Sequence, residues 1–181
     1  MARSPSGAGD IQRRHLLKIF SRKKRGKEVS RMRNTLKPGD VFSWSYVVPL
    51  NKTVPYLYPE SEEYRKMPEI FATGFMVGLL EWCCIEALRP HLEEGEGSLG
   101  TFISTTHVAP TLPGMKVTVT ALCDEIREGN NIFWSVVARD DMDLIAQGRH
   151  GRHVIETARF QARMERKSSL FLALSHKSRA A

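Results

Sequence analysis

Thr73-Gly-Phe-Met-Val-Gly-Leu-Leu-Glu-Trp-Cys-Cys-Ile-Glu-Ala-Leu-Arg89 is the most apolar stretch of the chain, and its reading decides the fold. The spacing predicts one helix over 73–89, begun or capped by Thr73 and ended by Pro90, which cannot continue a helix. Phe75, Met76, Val77, Leu79, Leu80, Trp82, Cys83, Cys84 and Ile85 occupy nearly every side of it. Such a helix is expected to be buried all round, so the rest of the domain must wrap it. Its uncharged part runs only from Phe71 to Leu80, far short of the roughly 18 to 20 residues a membrane span needs, which excludes an integral helical membrane protein.

Working outward, the period changes from 3.6 to 2. Upstream, Phe42, Trp44, Tyr46 and Val48 alternate with Ser43 and Ser45, which predicts a strand over 41–48. Downstream of Gly95 and Gly97, strands are expected over 98–108, 115–125, 131–140 and 144–155, separated by turn-forming segments. Sequential strands usually pair as neighbours, so these four should form an antiparallel sheet, and the helix is the only element apolar enough to cover it. The expected class is α+β: a hot-dog fold, an antiparallel sheet wrapped around one central buried helix. Residues 49–68 carry Pro49, Pro55, Pro59 and Pro68 with the acidic Glu60-Ser-Glu-Glu63. A loop of about twenty residues is long for a compact domain, and loops of that length often serve as lids.

The 181 residues hold 27 Lys+Arg against 20 Asp+Glu, a net charge of +7. Most of the excess lies before residue 38, where twelve basic residues face two acids, giving +10; the remaining fifteen against eighteen give −3. A smaller basic excess returns at the C-terminal end, so the expected organisation is a basic, disordered leader over 1–36, a domain over 37–164 and a basic tail over 165–181. The leader has three competing readings: a solvated tail, an organellar presequence, or an electrostatic tether to membrane or nucleic acid. A nucleic-acid role for the leader is set aside, because it leaves the acidic domain unused. The three cysteines show neither disulfide nor metal spacing, which fits small core residues in a reducing, cytoplasmic compartment.

Several residues could carry chemistry. Glu81 stands in the middle of the apolar helix, either on a wet stripe shared with Glu86 or as a carboxylate perturbed by burial. His107 is expected near a strand terminus, where a satisfied structural histidine is the alternative. Thr73 suits an N-cap equally well. Thr73 and Glu81 are separated by about 12 Å of rise and about 80° of rotation, too far for one carbonyl to meet both within one chain. Two-fold pairing of copies with helices side by side would bring them together, which predicts a homodimer with sites at the interface. His150 and His153 lie three apart in a strand and face opposite sides, so no metal is expected there. Arg149 and Arg152 are candidate phosphate contacts, with an exposed strand end as the alternative.

The blocks Val47-Val-Pro-Leu-Asn-Lys-Thr-Val54, Leu57-Tyr-Pro-Glu-Ser61, Phe71-Ala-Thr-Gly-Phe-Met-Val-Gly78, Glu81-Trp82, Gly95-Glu-Gly-Ser-Leu-Gly-Thr101 and Thr106-His107 together resemble the fluoroacetyl-CoA thioesterase family of hot-dog proteins. The resemblance spans roughly 36–164. It implies hydrolysis of a short acyl-CoA thioester by Thr73, Glu81 and His107, with Glu81 as nucleophile or base, His107 assisting proton transfer and Thr73 positioning by hydrogen bonding. It further implies Gly100 at the border of the acyl pocket and Arg152 near the CoA phosphates. The chain departs from the family at two aromatic lid positions, which are Tyr64 and Met67 here, and the expected substrate is therefore a short acyl-CoA other than the fluorinated one. No cofactor is expected, CoA entering as part of the substrate. The alternative is a non-catalytic acyl-CoA-binding hot-dog module whose basic leader meets a regulatory partner.

Overall fold

The computed structural model describes residues 32–128 and 130–179, with side chains as far as Ser175. The leader therefore lies, except for 32–36, outside the described residues. Those five already belong to the domain: Leu36 is buried in the core, Met32 packs against it, and Arg33 N–H donates to His91 O at 2.9 Å. An apolar residue with core space to fill moves the folded start upstream of the expected residue 37.

Five strands, β1 (Val41–Val47), β2 (Glu96–Thr105), β3 (Lys116–Arg127), β4 (Asn131–Arg139) and β5 (Leu144–Glu156), form one antiparallel sheet in the order β1-β3-β4-β5-β2. The expected succession holds for β3, β4 and β5, whose connections are hairpin-length. It does not hold for β2, which leaves β3 and pairs with β5, while β1 takes the free edge of β3. The segment between β2 and β3 is long enough to carry the chain across the sheet, so no tight turn forces them together.

Helix α2 (Thr73–Leu88) lies in the curl of this sheet, after the four-residue helix α1 (Glu62–Arg65). It presents Met76, Leu79, Leu80, Cys83, Cys84, Ala87 and Leu88 to the inner face, where Val117, Val119 and Ala121 of β3 and Ile132, Trp134, Val136 and Ala138 of β4 form the other half of the core. Full burial of a side chain such as Leu80 stabilises the fold by about 1.5–3 kcal/mol. The helix is not buried all round, however. Gly74, Val77, Gly78, Glu81, Trp82 and Ile85 form a less buried stripe at helical spacing; Trp82 and Ile85 are each 40% exposed, although Trp82 still meets Trp44 and Tyr46 of β1. A single sheet can enclose only the side it faces.

The proline-rich loop is more ordered than its sequence implies, with short 3-10 turns at Leu50–Lys52 and Val54–Tyr56 ahead of α1. Its two ends are tied by a bridge between Thr53 and Phe71 and by Val54 N–H donating to Ile70 O at 2.9 Å. After β5 the chain continues as α3 (Thr157–Arg179), so the boundary expected between 164 and 165 falls inside a helix. No described helix is long and apolar enough to cross a membrane.

Candidate active site

The open stripe of α2 carries polar chemistry at two places. At its start, Thr73 is the first helical residue; Ala72 occupies the N-cap position and no side chain caps the helix. The Thr73 hydroxyl is instead hydrogen-bonded to His107 Nδ1 at 2.9 Å. His107 follows the end of β2, where the backbone is held by Val108 N–H donating to Ile145 O at 2.9 Å. Burial lowers its pKa below the usual imidazole value, with a ring N–H hydrogen bond to the Ala109 backbone carbonyl opposing. Its Nε2 is buried and has no hydrogen-bond partner, which is costly for a polar atom unless something outside the chain completes it.

Two turns further along, Glu81 meets a different environment. Its carboxylate, 39% exposed, has Oε1 3.5 Å from Arg152 Nη1 and 3.8 Å from His150 Nε2. Both partners come from the inner face of β5 and are themselves buried, Arg152 at 3% and His150 at 1% exposure. Arg152 donates from Nε to Ser98 Oγ and from Nη2 to the Ser98 carbonyl, each at 2.9 Å. His150 Nδ1 lies 2.8 Å from the Phe102 carbonyl, and its Nε2 lies 3.2 Å from Arg152 Nη1. Burial, then the neighbouring Arg152 charge, lowers the His150 pKa, while Glu81 and the Phe102 carbonyl pull the other way.

Gly100 belongs to this group. It pairs with Arg152 across the β2/β5 ladder, and a β-carbon built there would collide with Glu81 Oε1 while touching His150 Cε1 at 3.4 Å. Absence of a side chain is what lets the carboxylate lie against β2.

Arg152 does not stand where the resemblance put it. Its guanidinium is spent on Ser98, His150 and Glu81 in the interior, so it is not presented to phosphates at the surface. Arg149 is half-exposed and ion-paired with Asp124 at 3.6 Å. Tyr64, in α1, packs edge-on against Tyr58 with ring centroids 5.3 Å apart, and Met67 is 51% exposed just after α1. Neither reaches Thr73 or Glu81 through a hydrogen bond or ring contact. A cleft of about 200 Å³ lies between α2, β1 and the proline-rich loop, lined by Tyr46, Lys52, Gly74, Phe75, Gly78 and Trp82 among others; Thr73, Glu81 and His107 are not in its lining. Lys52 Nζ sits 4.4 Å above the Phe75 ring at its side. Among the described residues no group of three or more His, Cys, Asp or Glu side chains is placed to hold a metal ion.

The sequence alone presents His150 only as a candidate metal ligand and gives Ser98 no part in the site. The signal for His150 was present: it lies two residues from Arg152 and four from Val154, so all three share one face of β5, and Val154 is plainly a core residue.

Comparison with known proteins places these residues in a family. The sequence profile described as fluoroacetyl-CoA-specific thioesterase matches residues 58–158. The chain is 50% identical over 137 residues to a fluoroacetyl-CoA thioesterase of Streptantibioticus cattleyicolor, a match covering 76% of this chain and 98% of that protein. A solved structure of a fluoroacetyl-CoA thioesterase superposes with a TM-score of 0.72 at 49% identity, covering 74% of this chain and 98% of the other. A thioesterase superfamily member from Thermus thermophilus gives 0.69 at 29% identity, with coverages of 77% and 98%. A hot-dog-like protein from Thermanaerovibrio acidaminovorans, 22% identical with a TM-score of 0.62 and coverages of 78% and 97%, shares the fold.

Proposed function

The chain belongs to the fluoroacetyl-CoA-specific thioesterase family, and on that premise we propose that it hydrolyses a short acyl-CoA thioester at sites built from two copies of itself. The observation that carries this reading is the division of the polar groups along α2. Thr73 and His107 form one pair, Glu81 sits eight residues on, and none of the three side chains is fully buried.

A second copy completes the arrangement. Antiparallel helices crossing at Val77, midway between 73 and 81, set Glu81 of one copy beside Thr73 and His107 of the other. Gly78 lies next to that crossing with open space where a side chain would stand, so it does not keep the helices apart. The edge strand β2, with Phe102 47% exposed, offers a further surface to the same partner.

In the composite site the Glu81 carboxylate attacks the thioester carbonyl carbon or draws a proton from the water that does. The carbon–sulfur bond breaks and the CoA sulfur leaves as a thiolate, a group good enough to go with modest assistance. With Nδ1–H donating to the Thr73 hydroxyl, His107 Nε2 presents its lone pair, takes a proton from the attacking water and passes it to the departing thiolate, which restores the neutral ring. Water then releases the acid, and no cofactor enters. Tyr64 and Met67 stand as the gate, whose phenol and flexible thioether suit a short acyl group other than fluoroacetyl. The free, buried cysteines suit a reducing, cytoplasmic setting.

Thiol release from a panel of short acyl-CoAs tests the reading. Glu81→Gln and Thr73→Ala proteins should each turn over at least about 100-fold more slowly than wild type. Co-expressed in one cell, they should recover about a quarter of the wild-type rate, since half of the dimers then hold one intact site of two. Full activity of Glu81→Gln would remove the chemistry, and a mixed preparation as inactive as its parents would remove the shared site.

A further inference from the structure

Beside Glu81 lies a buried histidine to which that mechanism gives no part. We infer that His150 is a positioning residue that aims Arg152 at the Glu81 carboxylate, and that it does so as a neutral ring in one tautomer. The inference rests on the reading of Glu81 as the group that acts on the thioester.

The hydrogen bonds around the ring define its state. The Phe102 carbonyl, 2.8 Å from Nδ1, can only accept, so Nδ1 carries a proton. Nε2 faces Arg152 Nη1 at 3.2 Å, and a guanidinium can only donate, so Nε2 carries the lone pair. Those two contacts are satisfied together only by the neutral Nδ1–H tautomer. Arg152 is held from three sides: Ser98 Oγ takes Nε, the Ser98 carbonyl takes Nη2 and His150 takes Nη1. The Ser98 contacts fix the base of the fork, and His150 fixes the prong that lies 3.5 Å from Glu81 Oε1. A guanidinium so restrained holds the carboxylate at one point of the open stripe, which is what positioning for attack requires.

Protonation would undo this. An imidazolium Nε2–H would oppose the Arg152 N–H at 3.2 Å, donor against donor and charge against charge, and its attraction would turn toward Glu81 Oε1 at 3.8 Å. The groups that bear on the ring are Glu81 and Cys84 from α2, Arg152 from β5, the Ser98 hydroxyl and Phe102 carbonyl from β2, and Trp134 opposite it on β4. Glu81 is the one acid among them that would stabilise the charged ring, so acidification converts a carboxylate paired with one cation into a carboxylate shared between two. A carboxylate so shared is a weaker nucleophile and base.

The test compares His150→Leu, His150→Gln, Glu81→Gln and the double variant His150→Leu/Glu81→Gln in thiol release, with thermal unfolding of each. His150→Leu should lose about ten- to a hundred-fold in kcat, as removal of an orienting partner does elsewhere, with KM changed less than about three-fold. His150→Gln, whose side-chain oxygen can still accept from Arg152, should recover part of the loss. In the Glu81→Gln background, His150→Leu should cost nothing further, because the histidine acts through the carboxylate. Wild-type kcat in a folded His150→Leu protein, a further full loss in the double variant, or a loss confined to KM would overturn the inference. A Leu variant that fails to fold leaves the decision to His150→Gln, where a kcat loss at unchanged Tm supports the role and wild-type kcat together with a wild-type pH profile refutes it. Inactive Glu81→Gln beside fully active His150 variants would sink the inference alone; active Glu81→Gln would sink it together with the reading beneath it.

Discussion

The two ends of the open stripe on α2 differ in how far one chain finishes them. At Glu81, the chain supplies a buried cation, a histidine fixed by a carbonyl, and a glycine that makes room. At Thr73, it supplies a single hydrogen bond to His107 and leaves His107 Nε2 without a partner in a half-buried position. Such preorganisation costs nothing at the moment of reaction, so the Glu81 end is built to hold a charge still. The Thr73 end is built to receive something. The proposed shared site would join one finished half to one open half.

The largest expected effect comes from spoiling the finished half without touching its charges. Gly100→Ala places a methyl where Glu81 Oε1 now lies, and the carboxylate is the flexible end of a partly exposed side chain, so it can swing away at little cost to folding. Stability should change by less than about 1 kcal/mol while kcat falls about 100-fold, since displacement by an ångström is enough to cost that much. Unchanged turnover in this variant would mean that the place where Oε1 is held does not matter, and the contrast between the two ends would lose its meaning.

The contrast also has a pH signature. Burial depresses the pKa of both His107 and His150 in the folded chain, so each binds a proton more readily when unfolded. Their contribution to stability is therefore fully present above the unfolded imidazole value and is lost as pH falls through the lower folded value. His150 is buried more deeply and faces a guanidinium, so it should carry more of the acid loss. The expected result is a Tm that falls from neutral pH toward pH 5, less steeply in His150→Leu than in His107→Gln. A steeper fall in His150→Leu would reverse the assignment of which end is fixed.

How much of this was legible in the sequence depended on distance along the chain. The α2 stretch announces a core helix by hydrophobicity alone, and the alternation of Phe42, Trp44 and Tyr46 announces β1. The place of β2 beside β5 was not legible, because a crossing connection leaves no turn signature and only the closed sheet decides it. Nor could composition separate the helix face that meets the sheet from the more exposed side with Gly78, Trp82 and Ile85, since the two are equally free of charge apart from Glu81 and Glu86. Arg152 was read as a surface residue because arginine is almost never buried unpaired. Its partner Glu81 lies 71 positions upstream, and only the folded sheet brings the two together.

The smallest effect belongs to Tyr64 and Met67, the proposed gate. The loop that carries Tyr64 and Met67 returns through Ile70 and Phe71 directly into Ala72 and Thr73, so its anchoring at Val54 and Thr53 also anchors the start of α2. Met67 is an unbranched thioether with free rotors, and Tyr64 is engaged with Tyr58. Neither is part of the machinery at Glu81, so replacing them should alter which acyl group is admitted and leave the chemistry intact. Tyr64→Phe/Met67→Phe would set two stiff aromatic rings at the positions where the resembling family carries them. The ratio of kcat/KM for fluoroacetyl-CoA to that for acetyl-CoA should then rise by roughly 10-fold, the scale on which an apolar pocket discriminates small groups, with acetyl-CoA kcat within about three-fold of wild type. A collapse of kcat for both substrates would place the loop within the chemistry, and an unchanged ratio would detach Tyr64 and Met67 from selectivity. Either result would redraw the open end, while the finished end around Glu81 would stand as it is.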